Sequence, residues 1–268
     1  MAQTLKSAVV PLAGIIDLEA CPLSDQEFTS SCRQTLADDG VLTLPRFLTT
    51  QAINILISEA KLYYADAFHT NTSHNVYLTE PIPDLGDDHI LNRPITSSKA
   101  CIAMDQIPDQ SPLKLIYSSV LFRQFAAVVL GEERLYEYAD LLSSINVHYA
   151  EEGKELGWHF DNSAFAITLL LQAPESGGIF EYVKDLRDSE GGSMNFSGVT
   201  DVVEGRRRPR ELDIEPGTLV LFRGRNAIHR VTPTIGQVMR IVVGFTYNEE
   251  PGIQLSEAAR MTFFGRLQ

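Results

Sequence analysis

Cysteine is scarce in this chain, and its scarcity excludes two kinds of protein. The 268 residues contain three cysteines, Cys21, Cys32 and Cys101, which lie far apart. A disulfide-stabilised scaffold needs many cysteines, and a zinc knuckle needs closely spaced ones. We therefore expect reduced thiols and a cytoplasmic protein.

Long apolar runs and an excess of positive charge are also missing. No run reaches the ~18 apolar residues that a membrane span needs. The N-terminal twenty residues have a short apolar run, but Pro11 interrupts it and acids follow, which disfavours a signal peptide. The 22 basic against 35 acidic residues give a net charge of −13. We therefore expect no nucleic-acid partner and no anionic membrane partner, although a local arginine can still bind a small anion.

The residue pattern changes along the chain, from a helical pattern to a strand pattern. Residues 1–135 read as mainly helical, with helices expected from a Ser24 cap to Gly40, near 49–68 and across 111–131, and an irregular stretch at 70–110. From about residue 140 to 250, short runs of β-branched and aromatic residues predict a sandwich or barrel. No linker separates the halves, so we predict one domain over 1–268. The charged insertion at 184–212 is expected to be a solvated hairpin arm, with a lid or subunit contact as the alternative.

A candidate metal site begins at His159-Phe160-Asp161. Residues two apart on a strand share a face, so the histidine and the aspartate converge. His229, in the segment GTLVLFRGRNAIHRVTP, is placed where a returning strand brings it alongside. Two histidines and one carboxylate form the facial set of non-haem Fe(II) oxygenases. Alone, His-x-Asp is common by chance, and an ordinary polar pair is the alternative.

Arg240 lies in the apolar strand segment VMRIVVGF, where burial of a charge is costly unless it is paired. No acid neighbours it within that strand. A dicarboxylate co-substrate that chelates a metal at one end would explain both the triad and Arg240, because guanidinium binds carboxylate through two parallel hydrogen bonds. Pairing with a core acid such as Glu181 is the structural alternative.

At these residues the sequence resembles the Fe(II)- and 2-oxoglutarate-dependent dioxygenases. The resemblance implies a mainly β fold, the double-stranded β-helix or jelly roll, over 140–250, with supporting helices before it. The passages GWHFDNS, LLLQAPESGGIFEYV and GRNAIHRVTP resemble a branch containing hydroxylases and halogenases of free amino acids. By resemblance, His159, Asp161 and His229 are the catalytic ligands of Fe(II), and Arg240 binds 2-oxoglutarate. Halogenating members carry a small residue in place of the acid, so Asp161 favours hydroxylation.

Five further residues are candidates for binding. Asn146 and Thr168 are assigned to 2-oxoglutarate, and Arg93, His148 and Asn162 to the substrate. Each has a plain alternative. Asn146 and His148 share a strand face that lines the cavity or faces solvent, strand threonines are usually structural, and Arg93 is also typical of a surface arginine.

The function predicted from these residues is hydroxylation of an unactivated C–H bond, with release of succinate and CO2. The partners are dioxygen and a small polar substrate, a free amino acid or a derivative, and the enzyme is a monomer or a homodimer. Desaturation or cyclisation by the same cofactors stays open. So do a non-catalytic jelly-roll binding protein and a zinc hydrolase, although a zinc hydrolase gives Arg240 no role.

Overall fold

An eleven-stranded antiparallel sheet runs through both halves of the chain. The computed structural model describes residues 12–268, so the first eleven of the twenty residues weighed as a signal peptide lie outside the described residues. Strand order is β1-β11-β7-β14-β5-β3-β6-β12-β9-β10, with β2 paired to β3. The pairs β13-β8 and β15-β4 are separate. The strands are β1 (Val41–Leu44), β2 (Phe68–His74), β3 (Ile95–Ile102), β4 (Tyr136–Glu137), β5 (Ile145–Ala150), β6 (Leu156–His159), β7 (Ala166–Gln172), β8 (Ser176–Gly177), β9 (Phe180–Val183), β10 (Arg210–Leu212), β11 (Leu219–Phe222), β12 (Ile228–Val231), β13 (Thr234–Ile235), β14 (Arg240–Phe245) and β15 (Tyr247–Asn248).

The sheet curls so that strands distant in its order face each other. Phe222 of β11 meets Phe180 and Tyr182 of β9, with ring centroids 5.0 and 5.6 Å apart. We call β1, β11, β7, β14, β5 and β3 the major half, and β6, β12, β9 and β10 the minor half. This curled, mainly β architecture confirms the predicted jelly roll.

Period-2 alternation sorts the major half into two faces. Ile145, Val147 and Tyr149 of β5 join the main core with the helices. Asn146 and His148 point the opposite way. We call this opposite side the inner face, and it includes Arg240 of β14, because Ile241 of that strand lies in the helix-packed core.

Of the six helices in the described part of the chain, four support the outer side of the sheet. The helices are α1 (Gln26–Asp39), α2 (Thr50–Tyr63), α3 (Pro112–Tyr117), α4 (Val120–Leu130), α5 (Phe196–Val203) and α6 (Glu257–Phe264), with 3-10 turns at Tyr64–Asp66 and Met104–Gln106. The first four contribute to the main core, while α5 packs with Trp158 and Phe160 and α6 contacts β2 and β3. No helix within residues 12–268 is both long enough and apolar enough to cross a membrane.

Several local predictions were wrong, for identifiable reasons. Asp25, not Ser24, caps α1 by accepting a hydrogen bond from the backbone of Phe28. The helix predicted across 111–131 breaks in two, because Ser119 takes an extended conformation and caps a new helix.

The largest errors concern the two segments read as irregular or solvated. The stretch at 70–110 contains most of the β2–β3 hairpin, so the first half is less helical than predicted. The insertion at 184–212 is not a solvated hairpin arm. It carries α5, whose Val199 and Val202 are buried, and β10, which extends the sheet beside β9.

Candidate metal centre

Two imidazoles face each other at the centre of the minor half. His159 of β6 and His229 of β12 are direct partners in the antiparallel pairing, and their ring centroids lie 4.1 Å apart. Asp161 follows two residues after His159, and its Oδ1 lies 3.6 Å from the Nε2 of each histidine. The structure therefore brings the three predicted ligands together, with one donor atom of each within 4.8 Å of the others.

Backbone carbonyls set the tautomer of both histidines. Nδ1 of His159 donates to the carbonyl of Gly157 at 2.8 Å, and Nδ1 of His229 donates to the carbonyl of Ala227 at 3.0 Å. This leaves each Nε2 directed at Asp161 and available as a metal ligand. Burial, reinforced by the neighbouring His229, lowers the pKa of His159. A neutral imidazole with a free Nε2 lone pair is the form that binds a metal.

Gly224 makes room for the carboxylate of Asp161. The backbone N–H of Asp161 donates to the carbonyl of Gly224 at 3.2 Å. A Cβ on this glycine would lie 1.8 Å from Oδ2 of Asp161. Burial pushes the pKa of Asp161 upward, but the imidazoles of His229 and His159 outweigh it and hold that pKa below its usual range. The group is therefore an ionised carboxylate that faces the Nε2 atoms of two imidazoles.

The donor set fits a divalent metal. Oδ2 of Asp161 is buried and has no hydrogen-bond partner among residues 12–268. A buried, charged oxygen without a partner is costly, and a cation between it and the two Nε2 atoms would remove that cost. Two nitrogens and one oxygen on one side leave further coordination positions open, as in the facial iron sites.

Arg240 is a buried cation on the inner face. It is 7% exposed, and no carboxylate of the described chain pairs with it. Burial lowers its pKa to about 10, so it stays charged at neutral pH. Its aliphatic stem lies against Gly178, where a Cβ would stand 2.9 Å from its Cδ. The alternative pairing with Glu181 is wrong, because Arg230 holds that acid at 2.5 Å.

The two strands that flank β14 carry three of the predicted binding residues, Asn146 and His148 on β5 and Thr168 on β7. Gly244 of β14 is in register with Asn146 on one side and Thr168 on the other. A Cβ on Gly244 would meet only Nε2 of His148, at 4.0 Å, so the inner face is open here. Nδ1 of His148 is buried without a partner among the described residues. Burial, together with nearby Lys99 and Arg240, lowers its pKa well below the usual value.

Comparison with known proteins places this geometry in a family. The sequence model of the family described as Halogenase D matches residues 94–262, more than half of the chain. The chain belongs to the Halogenase D family. No curated protein matched it. The predicted superfamily, the Fe(II)- and 2-oxoglutarate-dependent oxygenases, and the predicted enzyme class, oxidoreductase, are confirmed.

Solved structures share the fold of this Halogenase D family member at low identity. A 2OG-Fe(II) oxygenase family protein from Burkholderia pseudomallei is 13% identical over 86% of this chain and 95% of its own, with a TM-score of 0.54. The α-ketoglutarate-dependent epimerase SnoN of nogalamycin biosynthesis is 14% identical over 83% of this chain and 84% of its own, with a TM-score of 0.57. A Pseudomonas putida prolyl-4-hydroxylase is 15% identical over 81% and 98%, with a TM-score of 0.50.

Two of the predicted substrate residues in this Halogenase D family member lie away from the inner face. Arg93 is on the loop before β3, and its Nη1 donates to Oε1 of Glu204 at 3.0 Å on the protein surface. Asn162 directly follows Asp161 and is exposed, so it stands at the rim of the triad. In this structure Arg93 is therefore paired with Glu204, while Asn162 lies beside the triad in sequence.

Two cations near the site were missed by sequence reasoning. Arg187 donates from Nη2 to the carbonyl of Asp161 at 3.3 Å, donates from Nε to the carbonyl of Arg225 at 2.7 Å and stacks over Phe160 at 4.2 Å. It lies in the insertion that was read as solvated, where no local pattern marks it. Lys99 lies on β3, and alternation within ITSSKACI would have marked it if that segment had been recognised as a strand.

Proposed function

We propose that this protein is an Fe(II)- and 2-oxoglutarate-dependent hydroxylase of a small polar molecule. One observation carries the proposal. A complete His-Asp-His set shares the interior of the barrel with Arg240, and within residues 12–268 neither Oδ2 of Asp161 nor the guanidinium of Arg240 has a partner of opposite charge or a hydrogen bond that satisfies it. A metal satisfies the first group, and the distal carboxylate of 2-oxoglutarate satisfies the second.

The protein residues have separate tasks in this reaction. His159, His229 and Asp161 hold the metal, and Arg240 orients 2-oxoglutarate through its distal carboxylate. Fe(II) with 2-oxoglutarate supplies the oxidising power when bound, through activation of dioxygen and release of succinate and CO2. Phe222, whose ring centroid lies 4.8 Å from that of His229, contributes an apolar wall that excludes water.

Asp161 supports hydroxylation over halogenation. The family description favours halogenation as a second candidate reaction. A halide needs a coordination position, and in this chain the carboxylate of Asp161 is directed at that position. Desaturation and cyclisation stay open as outcomes of the same chemistry, because they need the same ligands.

The proposed substrate class is a free amino acid or a close derivative. The supporting observations are the resemblance of GWHFDNS and GRNAIHRVTP to a branch of free amino acid hydroxylases and halogenases, and the polar inner face around His148 and Asn146. Thr168 and Asn146 are proposed as further contacts of 2-oxoglutarate, because both flank the open space at Gly244. Asn162 is proposed as a substrate contact at the rim, and Arg93 stays a prediction that its surface position does not support.

A turnover screen tests the proposed function. Purified protein with Fe(II), dioxygen and labelled 2-oxoglutarate is offered the L-amino acids and their simple derivatives, and labelled succinate is measured. Mass spectrometry then separates the gain of one oxygen atom from the loss of two hydrogens and from chlorination. We expect a hydroxylated product.

Two results would contradict the proposal. No succinate with any compound, together with no ferrous binding, would favour a non-catalytic jelly-roll protein. Anaerobic addition of Fe(II) and 2-oxoglutarate should also give a weak visible charge-transfer band. Its absence, with tight zinc binding instead, would favour the hydrolase alternative.

A further inference from the structure

A second cation on the inner face has no task in the proposed reaction. Ala100 and Ile102 of β3 lie in the helix-packed core, so Ser97, Lys99 and Cys101 point to the opposite side. Cys101 is in register with His148. Lys99 therefore lies on the same face as His148 and Arg240.

Lys99 lies where β3 passes from one half of the sheet to the other. Ala100 still pairs with Tyr149 of β5, whereas Ser97 pairs with Leu156 of β6, the strand that ends in His159. The lysine thus stands between the inner-face residues around Arg240 and strand β6, which ends in His159. The electrostatics agree with this position. The charge of Lys99 helps to lower the pKa of His148, and the charge of Asp161 partly offsets the lowering of the pKa of Lys99.

The ammonium of Lys99 has no anionic partner in the described chain. No carboxylate of residues 12–268 forms an ion pair with it, and no side-chain hydrogen bond of its Nζ is found there. Its neighbour is the ring of Phe263 on α6, with Nζ 5.1 Å from the ring centroid. Lys99 is half-buried on β3, and desolvation lowers the pKa of its ammonium, so the site penalises the charge rather than stabilising it. A cation kept in such a place is expected to meet an anion from outside the chain.

Arg240 and Lys99 provide separate positions for two anions. The distal carboxylate of 2-oxoglutarate, under the proposed function, is assigned to Arg240. Lys99 stands nearer the metal strand, where a substrate must present its C–H bond. Phe263 then covers the lysine from α6 and gives this end of the site an apolar wall.

We propose that Lys99 anchors a carboxylate of the substrate, so the substrate is a small organic acid held between β3 and α6. The inference rests on the proposed function for the location of the reacting centre. It adds the chemical group that is recognised and the residue that recognises it. A free amino acid satisfies this requirement, whereas an amine without a carboxylate does not.

Binding measurements with three matched series of compounds test this inference. Protein loaded anaerobically with Fe(II) and 2-oxoglutarate is titrated with the L-amino acids, with the corresponding carboxylic acids that lack the amino group, and with the amines that lack the carboxylate. We expect binding only from carboxylate-bearing compounds. Lys99→Met should weaken it by roughly 10- to 100-fold, the usual worth of a hydrogen bond to a charged group. Lys99→Arg should keep part of it.

Two controls separate recognition from folding. Lys61→Met removes the same charge from an exposed position on α2 and should leave all titrations unchanged. Ligand-free Lys99→Met should melt close to the temperature of the unsubstituted protein or higher, because no ion pair within residues 12–268 is lost and the methionine keeps an apolar contact with Phe263. A structural lysine would instead lower the melting temperature.

Each alternative result overturns the inference or separates it from the proposed function. Weaker 2-oxoglutarate binding in Lys99→Met would assign Lys99 to the co-substrate. Amines that bind as well as acids, unchanged affinities in Lys99→Met, or no binding from any series would also overturn it. If carboxylic acids without an amino group bind through Lys99 while amino acids neither bind nor turn over, the amino acid assignment fails and the anchor stands.

Discussion

Replacement of Arg240 by methionine isolates the contact with 2-oxoglutarate. The guanidinium is buried and has no carboxylate partner in the described chain, so the substitution breaks no internal ion pair. Truncating one partner of a buried, hydrogen-bonded charge pair costs about 2–5 kcal/mol. Since 1.4 kcal/mol corresponds to a factor of ten, we expect the dissociation constant of 2-oxoglutarate to rise roughly thirtyfold to a few thousandfold.

The assay is an anaerobic titration of 2-oxoglutarate into the Fe(II)-loaded protein, followed by the charge-transfer band and by calorimetry. Iron affinity should be unchanged, because Arg240 forms no hydrogen bond or ion pair with His159, Asp161 or His229. Thermal stability should be equal to or higher than that of the unsubstituted protein, since an unpaired buried charge is removed.

Arg230→Met is the matched control for this prediction. Arg230 pairs with Glu181 at 2.5 Å and lies over the ring of Trp158 at 4.7 Å, so its loss should lower stability and leave 2-oxoglutarate binding intact. An Arg240→Met protein with an unchanged dissociation constant for 2-oxoglutarate would refute the assignment of Arg240.

Three further predictions concern the triad and its surroundings. Gly224→Ala should abolish tight Fe(II) binding, because its Cβ would stand 1.8 Å from Oδ2 of Asp161, whereas Gly86→Ala, with nothing within 4 Å, should bind iron normally in the same titration. Asp161→Gly should lose hydroxylation, and product mass with and without chloride will show whether the vacated position admits a halide. The pKa values of His148 and His159 are lowered chiefly by burial, so the unfolded chain takes up protons first as the pH falls below 6.5. The free energy of unfolding of the metal-free protein should therefore fall on acidification, by up to about 1.4 kcal/mol per pH unit for each histidine. The fall should be less steep in His148→Gln. A free energy of unfolding that does not change with pH in denaturant titrations would contradict this prediction.

The triad and Arg240 were accessible to sequence reasoning because local rules decide their placement. Period-2 alternation puts His159 and Asp161 on one side, and the apolar neighbours of Arg240 mark it as a buried charge. The position of His229 opposite His159 needed one long-range assumption, that a returning strand would pair with β6, which the structure shows.

The roles of Lys99 and Arg187 depend on contacts that no local rule specifies. Lys99 lies in the segment ITSSKACI, which is poor in aromatic residues and was read as part of an irregular stretch, yet it pairs with strands about 50 residues further along the chain. Arg187 lies in an insertion that is rich in charged residues and therefore looks solvated in the sequence, although Val199 and Val202 of α5 within it are buried. In both cases tertiary pairing overrides weak local propensity.

Membership of a family does not by itself decide the reaction, since related sites support different chemistry. The Halogenase D match covers the segment that holds His159, Asp161 and His229, the three proposed metal ligands. In this chain Asp161 and Gly224 act as one unit: the glycine has no side chain at the point where the carboxylate lies, and Oδ2 has no other partner there. A halide would have to displace a half-buried, ionised carboxylate whose pKa is held low by the two imidazoles. The positions that remain for co-substrate and dioxygen are those of an oxygenase, so the physical chemistry of the site favours hydroxylation within a family described by its halogenases.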